Sequence, residues 1–276
     1  MAPHLCPIKS LDKFYKKYKV STLLGTGGNG SVYLCQEINT RTSRAVKIVS
    51  QSVKQTFCRI RKRMVPCEVA LWEPLTHENT VQLVEVFADE DNKTWYMVME
   101  YLDSFQELFS YVNTHGSIST RDSSRVIQQL VGVVSHLHHL GVDHRDIKDE
   151  NILYHPKTKQ IKLIDFGSAT LLSPHPYTSF RGTDIYIPPE FYLHGKYHAD
   201  AAAVWSVGCL SFILLRGDNP FKSPESVRNF SSMGDFKDDS LLVETKRVDF
   251  IKQCLQPVVE KRMKLSELLK HPWLKL

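Results

Sequence analysis

The feature that most limits what this 276-residue chain can fold into is a polar octapeptide, His144-Arg145-Asp146-Ile147-Lys148-Asp149-Glu150-Asn151, set between apolar segments. Before it runs an amphipathic stretch in which Val126, Leu130, Val134 and Leu137 mark one face of a long helix that Gly141 ends. After it come Ile152-Leu153 and then the apolar run 161–164, which feeds Asp165-Phe166-Gly167. A carboxylate, an amine and a carboxamide thus fall within one short loop, and a second carboxylate waits at the end of a strand. Either fragment alone carries little weight. Their order, with a strand leading into the second, is hard to reach by chance.

Phosphoryl transfer from a nucleotide needs this kind of set: a base that orients a hydroxyl, a cation for the moving group, and oxygens for magnesium ions. The amino-terminal third supplies a matching phosphate-binding pattern. Residues 18–24 alternate as a strand and run into Gly25-Thr26-Gly27-Gly28-Asn29-Gly30-Ser31-Val32. A glycine pattern of this spacing also occurs in dinucleotide-binding turns, which open a helix. Here residues 31–37 are β-branched and aromatic and return as a strand, and Ala45-Val46-Lys47-Ile48 follows as a third. Glycines let backbone close over phosphates without interference from Cβ. Lys47 would give the point charge for the α- and β-phosphates, and Val32 and Ala45 would sandwich the adenine. Alone, Lys47 would read as a surface lysine; in this company it reads as functional.

The rest of the chain is read as a frame for these parts. Residues 1–17 are lysine-rich without a clear apolar period and are expected to form a loosely packed, solvated leader. Residues 51–63 are basic and look like a solvated insertion. Residues 64–75 read as a helix with Val65, Val69, Trp72 and Leu75 on its apolar face, and Glu68 within it is a candidate partner for Lys47, the alternative being a solvent-facing glutamate. Residues 79–88 and 93–100 suggest two more strands, with turn chemistry at 89–92. A tight strap near Leu102 leads to a short helix. Beyond Gly167 the chain collects Ser168, Thr170, Ser173, Tyr177, Thr178, Ser179 and Thr183, then Pro188-Pro189-Glu190. Residues 204–215 are apolar nearly all round, as in a buried helix, and shorter helices are expected near 245–254 and 265–270.

Composition excludes several classes. Hydrophobic content of 42% and charged content of 24% are ordinary for a globular protein, and a net charge of +5 is mild for a nucleic-acid binder. No leader of the secretory type opens the chain, and the longest apolar run is short for a bilayer. The six cysteines have no paired C-x-x-C spacing, so reduced thiols in a cytosolic or nuclear protein are expected.

Taken in order, the 25–32 loop, Lys47, Glu68, 144–151, 165–167, Pro189-Glu190 and Trp205-Ser206-x-Gly208 resemble the eukaryotic protein kinases over residues 18–274. The resemblance implies a bilobal α+β fold. A five-stranded antiparallel N-lobe sheet with one main helix spans 18–101, a hinge lies at about 100–104, and a mostly helical C-lobe covers 105–274, behind an extension of residues 1–17. It implies that Asp146 orients the acceptor hydroxyl, Lys148 neutralises the transferring group, Asn151 and Asp165 hold Mg2+, and Glu68 pairs with Lys47. ATP would lie against Leu24, Gly25, Gly27, Gly28, Gly30, Val32, Ala45, Lys47, Met99, Glu100, Leu102 and Leu153. Arg262 stands where the family places an arginine that pairs with Glu190.

Lys148 two residues after Asp146, with Gly182-Thr183 ahead of Pro188-Pro189-Glu190, looks like the serine/threonine branch, and the closest resemblance is to the Pim group. Ala203 stands where most kinases carry an aspartate that braces the catalytic loop, as it does in that group. Leu102 replaces a Pim proline, Asn29 replaces the usual aromatic of the glycine loop, and Arg181 stands where Pim enzymes are acidic, leaving Arg145 in need of another partner. Glu107, Glu150 and Asp218 resemble acidic positions that bind arginines upstream of the acceptor, whereas Ser110 and Ile213 occupy places acidic in Pim enzymes, so a narrower or weaker basic preference is expected. The implied protein is a monomeric ATP-dependent serine/threonine kinase of basic, arginine-rich protein substrates, with no nucleic-acid or membrane partner. The rival is a catalytically silent pseudokinase scaffold that binds nucleotide and partners, and a third reading is a small-molecule kinase on the same fold.

Overall fold

The computed structural model describes residues 7–28, 30–50, 56–60, 63–89, 91, 93–232 and 245–275. Cys6, Asn29, Lys54, Arg61 and Lys62, and parts of the 1–17, 51–63 and 89–92 segments, lie outside these. The chain divides into two compact units, Met1–Asp103 and Ser104–Leu276.

In the first unit, β2 (Tyr18–Gly27), β3 (Gly30–Glu37), β4 (Ser43–Ser50), β7 (Leu83–Ala88) and β8 (Thr94–Glu100) pair antiparallel, the five strands the resemblance implies. A sixth, two-residue strand, β1 (Lys9–Ser10), adds in parallel to β7, so the sheet order is β1-β7-β8-β4-β3-β2.

That edge corrects the expectation of a loose leader. Residues 9–17 form β1 and helix α1 (Leu11–Lys17), and Phe14 is fully buried among Tyr18, Val46, Phe87, Tyr96 and Val98. Phe14 meets the rings of Tyr18, Phe87 and Tyr96 at 4.8–5.4 Å. Beneath the lysines, the carboxylate of Glu85 accepts from Lys9, from Lys17 at 2.9 Å and from the Tyr18 hydroxyl at 2.6 Å. Burial works against that charge, but these donors outweigh it and hold Glu85 down at about 2. One buried aromatic in a lysine-rich stretch gives no period, which is why the sequence reads as solvated.

The 51–63 and 64–75 expectations are also corrected. Strand β5 (Phe57–Ile60) pairs with β6 (Arg63–Pro66), and the helix, α2, spans only Cys67–Trp72. Pro66 sets the boundary, because a residue before proline is driven to extended backbone. Val65 is therefore in a strand, while Val69, Trp72 and Leu75 remain buried as the apolar pattern requires.

In the second unit, α3 (Leu108–His115) and α4 (Thr120–His139) precede β10 (Val142–Asp143). The Ser119 side chain caps α4 by accepting from the Asp122 amide at 3.1 Å. A short strand β9 (Gln106–Glu107), β11 (Ile152–Tyr154) and β12 (Ile161–Leu163) form a three-stranded sheet, and β13 (Thr170–Leu171) pairs with β10. Helix α5 (Pro189–His194) leads to α6 (Ala199–Arg216), with α7 (Pro224–Arg228), α8 (Lys246–Cys254) and α9 (Leu265–Leu268) after it. Helix α6 is apolar and long enough to cross a membrane by composition, but 72% of it is buried inside this unit. It is a core helix.

Helix α5 is pinned by Arg262. Its guanidinium makes two parallel bonds to Glu190, at 2.9 and 2.8 Å, with both side chains buried. Such a planar double bond is directional and strong.

Candidate active site

In the first unit the glycine segment is the tip of the β2–β3 hairpin, with Gly25 opposite Val32 and Gly27 opposite Gly30. Gly30 has φ of +123°, and a Cβ there would stand 2.5 Å from the Ile48 carbonyl. No other residue fits that turn. Gly25, Gly27 and Gly28 have open space where a Cβ would be, and Leu24 is 46% exposed. Ala45 and Met99 face each other across β4 and β8.

Lys47 and Glu68 are brought together. Lys47 lies on β4 and Glu68 in the first turn of α2, and their Nζ and Oε1 are 2.5 Å apart with both side chains buried. The Glu100 carboxylate accepts the Gln82 amide at 2.9 Å, which anchors the end of β8 just ahead of Leu102.

In the second unit Asp146, Lys148, Asn151 and Thr183 form one hydrogen-bonded group. Asn151 Nδ2 donates to the Asp146 carbonyl at 2.8 Å and to its Oδ2 at 3.0 Å. The Thr183 hydroxyl donates to Asp146 Oδ1 at 3.1 Å and accepts from Lys148 Nζ at 2.8 Å. Lys148 Nζ is also 3.5 Å from Asp146 Oδ2. Thr183, read in the sequence as one hydroxyl of the segment and as a marker of the serine/threonine branch but not as a site residue, is part of this group. Asn151 is tied to the second motif through its carbonyl, which accepts the Ile164 amide at 3.0 Å.

Asp165 follows Ile164 with φ of 61°, a left-handed conformation, and its Oδ1 accepts the Gly167 amide at 3.2 Å. His144 Nε2 lies 3.1 Å from the Ile164 carbonyl and its ring meets Phe166 edge-on. Burial pushes the His144 pKa down, favouring the neutral ring. Asp149 accepts from the buried Tyr186 hydroxyl at 2.8 Å, a link the sequence did not signal.

Arg145 finds partners that are not anions. Its guanidinium donates to the Ser179 carbonyl at 2.6 Å and to the Tyr197 hydroxyl at 3.1 and 3.3 Å, and lies 4.7 Å from the centre of the Tyr177 ring.

The three candidate substrate carboxylates differ. Glu107 is exposed, in β9 just before α3 and not within the helix. Glu150 is half-buried, and burial raises its pKa. Asp218 already forms an ion pair with Lys222 four residues on. Leu153 lies on β11 opposite Lys162 and Glu107.

Comparison with known proteins agrees with this geometry. The family model described as protein kinase domain matches residues 18–274. The chain is 32% identical to the serine/threonine-protein kinase pim-2 of Danio rerio over 273 residues, covering 95% of this chain and 86% of that protein. It is 32% identical to the serine/threonine-protein kinase prk-2 of Caenorhabditis elegans, covering 97% of this chain but 60% of that one. It is also 32% identical to a calcium/calmodulin-dependent protein kinase type 1 of Macrobrachium nipponense, with 94% and 75% covered.

Proposed function

This chain belongs to the protein kinase domain family, on its serine/threonine side, and from that premise we propose that it transfers the γ-phosphoryl group of ATP to serine or threonine hydroxyls in arginine-rich proteins. The observation that carries the reading is the Thr183 hydroxyl, which donates a hydrogen bond to Asp146 and accepts one from Lys148 at the same time. A hydroxyl group held between a carboxylate and an ammonium is what an acceptor needs on the way to attack.

In the proposed reaction the acceptor oxygen bonds to the γ-phosphorus while the bond from that phosphorus to the β–γ bridging oxygen breaks. ADP leaves with that electron pair, and the hydroxyl proton passes to Asp146. Lys148 offsets charge on the transferring group, and Lys47, fixed by Glu68, meets the α- and β-phosphates. Asn151 spends its Nδ2 on Asp146, which leaves Oδ1 as the atom for a cation, and Asp165 adds a carboxylate. These are hard oxygen donors and suit magnesium. A magnesium ion held there would take its remaining ligands from phosphate and water. When bound, magnesium would neutralise phosphate charge.

For substrate choice, Glu107 and Glu150 are proposed to receive arginines upstream of the acceptor. Asp218 joins them only if Lys222 gives way. The protein is further proposed to act as a monomer in the cytosol or nucleus, where its thiols would stay reduced. The test is phosphate incorporation from magnesium-ATP into a serine peptide with upstream arginines, against the same peptide with alanines in their place. Transfer that falls about tenfold or more with the alanine peptide, and less so in Glu107→Ala and Glu150→Ala, supports the reading. Equal transfer to both peptides removes the basic preference. Nucleotide binding with no transfer favours the silent scaffold.

A further inference from the structure

Asp143 is a buried carboxylate to which the transfer scheme gives no task. It ends β10, is 4% exposed and stands immediately before His144. Its Oδ1 accepts the backbone N–H of Arg145 at 3.3 Å and lies 3.6 Å from His138 Nε2, ion-pair range just beyond a hydrogen bond. The other ring nitrogen of His138, Nδ1, is 2.7 Å from Oδ1 of Asp200 in the first turn of α6. Burial opposes charge on His138, but the two carboxylates outweigh it and raise its pKa to about 9. At neutral pH the ring is therefore a cation with a donor on each side.

Two observations show why the loop needs holding at this point. Arg145, the residue before Asp146, has φ of 64°. A side-chain-bearing residue keeps that left-handed conformation only where its surroundings impose it. Below the loop lies a cavity of about 20 Å³, room for roughly one water. Helix α6 turns Ala199, Ala202 and Ala203 toward that cavity, with Ser206 beside them, so it offers no carboxylate to the loop. The acceptor for the Arg145 amide is Asp143, two residues earlier in the chain and lining the same cavity.

We propose that Asp143 is a positioning residue for the catalytic loop, clasping the strained Arg145 backbone from β10, and that His138 and Asp200 tether it to α6. The kinetic readout rests on the phosphotransfer reading given above, and the structural readout does not. The experiment compares the wild-type full chain with Asp143→Asn, Asp143→Leu and the double variant Asp143→Leu/Ala203→Asp. Each is assayed for transfer from magnesium-ATP to an arginine-rich peptide and for amide hydrogen exchange over residues 142–148.

Asparagine still presents a side-chain carbonyl to the amide, and leucine does not. Asp143→Leu should lower kcat about ten- to hundredfold, the scale of a misplaced reacting group, with the KM for ATP unchanged and exchange at Arg145 accelerated. Asp143→Asn should lose no more than about threefold. An aspartate at 203, reaching into the cavity, should recover most of the loss in the double variant. Wild-type kcat and exchange in Asp143→Leu would overturn the proposal. So would equal losses in the leucine and asparagine variants with no recovery in the double. Should Asp143→Leu fail to fold, a folded double variant supports the proposal and an unfolded one overturns it. If the wild-type protein transfers no phosphate, the phosphotransfer reading fails by itself. Exchange then decides: faster in leucine than in asparagine supports the clasp, and no difference refutes it.

Discussion

Replacing Lys47 with methionine removes half of an ion pair whose other half stays buried. Glu68 is 4% exposed and Lys47 6%, and they meet at 2.5 Å. Breaking a buried pair from one side typically costs about 3–5 kcal/mol, because an uncompensated charge remains. Protonation sets a ceiling on that cost. Neutralising a glutamate of ordinary pKa, about 4.3, takes about 3.7 kcal/mol at pH 7 and about 1.6 kcal/mol at pH 5.5, at 1.36 kcal/mol per unit. With Lys47 gone, burial would favour the neutral form of Glu68 and so make it harder to ionise in the folded than in the unfolded chain. Such a group destabilises the fold above the unfolded pKa, and the penalty grows with pH up to the folded pKa. Lys47→Met should therefore lose about 3–4 kcal/mol at pH 7 and less than half of that at pH 5.5. Lys47→Met/Glu68→Leu, with no charge left behind, should recover most of the loss while still failing to turn over ATP. Urea unfolding at the two pH values, read through exchange of the β4 and β8 amides, gives the numbers. A loss that is the same at both pH values, or a double variant no more stable than the single, would refute the reasoning.

Three further outcomes are expected. His138 has a folded pKa of about 9, above the ordinary value of 6.5, so its contribution is full below pH 6.5 and is lost as pH rises through 9. The stability difference between wild type and His138→Gln should shrink by up to about 3 kcal/mol across that window, with Asp143 and Asp200 facing the ring, Tyr177, Tyr197 and His144 near Asp143, and His198 near Asp200. A flat difference would remove the tether. Phe14→Ala should cost about 3–5 kcal/mol in chemical denaturation, as deletion of a buried aromatic does; a loss below about 1 kcal/mol would restore the loose leader. Because Arg145 is held by Tyr197, Tyr177 and the Ser179 carbonyl, protein shown by mass spectrometry to be unmodified at Thr178, Ser179 and Thr183 should keep its turnover after phosphatase treatment. A drop of about tenfold, roughly 1.4 kcal/mol in the barrier, would mean that Arg145 needs an anion after all.

What the sequence made legible was whatever repeats with a period or depends on residue type alone. Residues 18–24 alternate, residues 31–37 are β-branched and aromatic, α4 carries its face at Val126, Leu130, Val134 and Leu137, and α6 is apolar all round, so each was readable before any coordinates. Lys47 and Glu68 could be matched as partners because the family pattern names them, not because 47 and 68 have any local relation. The misses have local causes. Phe14 is a single anchor among lysines, and Pro66 moves a helix start by its backbone, leaving the apolar spacing untouched. Thr183 meets Asp146, and His138 meets Asp200, across segments distant in sequence, while the short reach from Asp143 to the Arg145 amide depends on a backbone turn that residue type alone does not mark. Asp218 was readable as acidic but not as already paired, since Lys222 four residues on gave no reason to expect that geometry outside a helix.

The measurement that bears most directly on the account is phosphate transfer from magnesium-ATP to an arginine-rich serine peptide by the wild-type chain and by Asp146→Asn, both shown to be folded. Asparagine is close in size to the carboxylate, but it cannot take the hydroxyl proton. The account predicts clear transfer by the wild type and a kcat lower by about 10²- to 10⁴-fold in the variant, the usual weight of a positioned base. Equal turnover by the two proteins would contradict the role given to Asp146 and, with it, the chemistry assigned to the group around it.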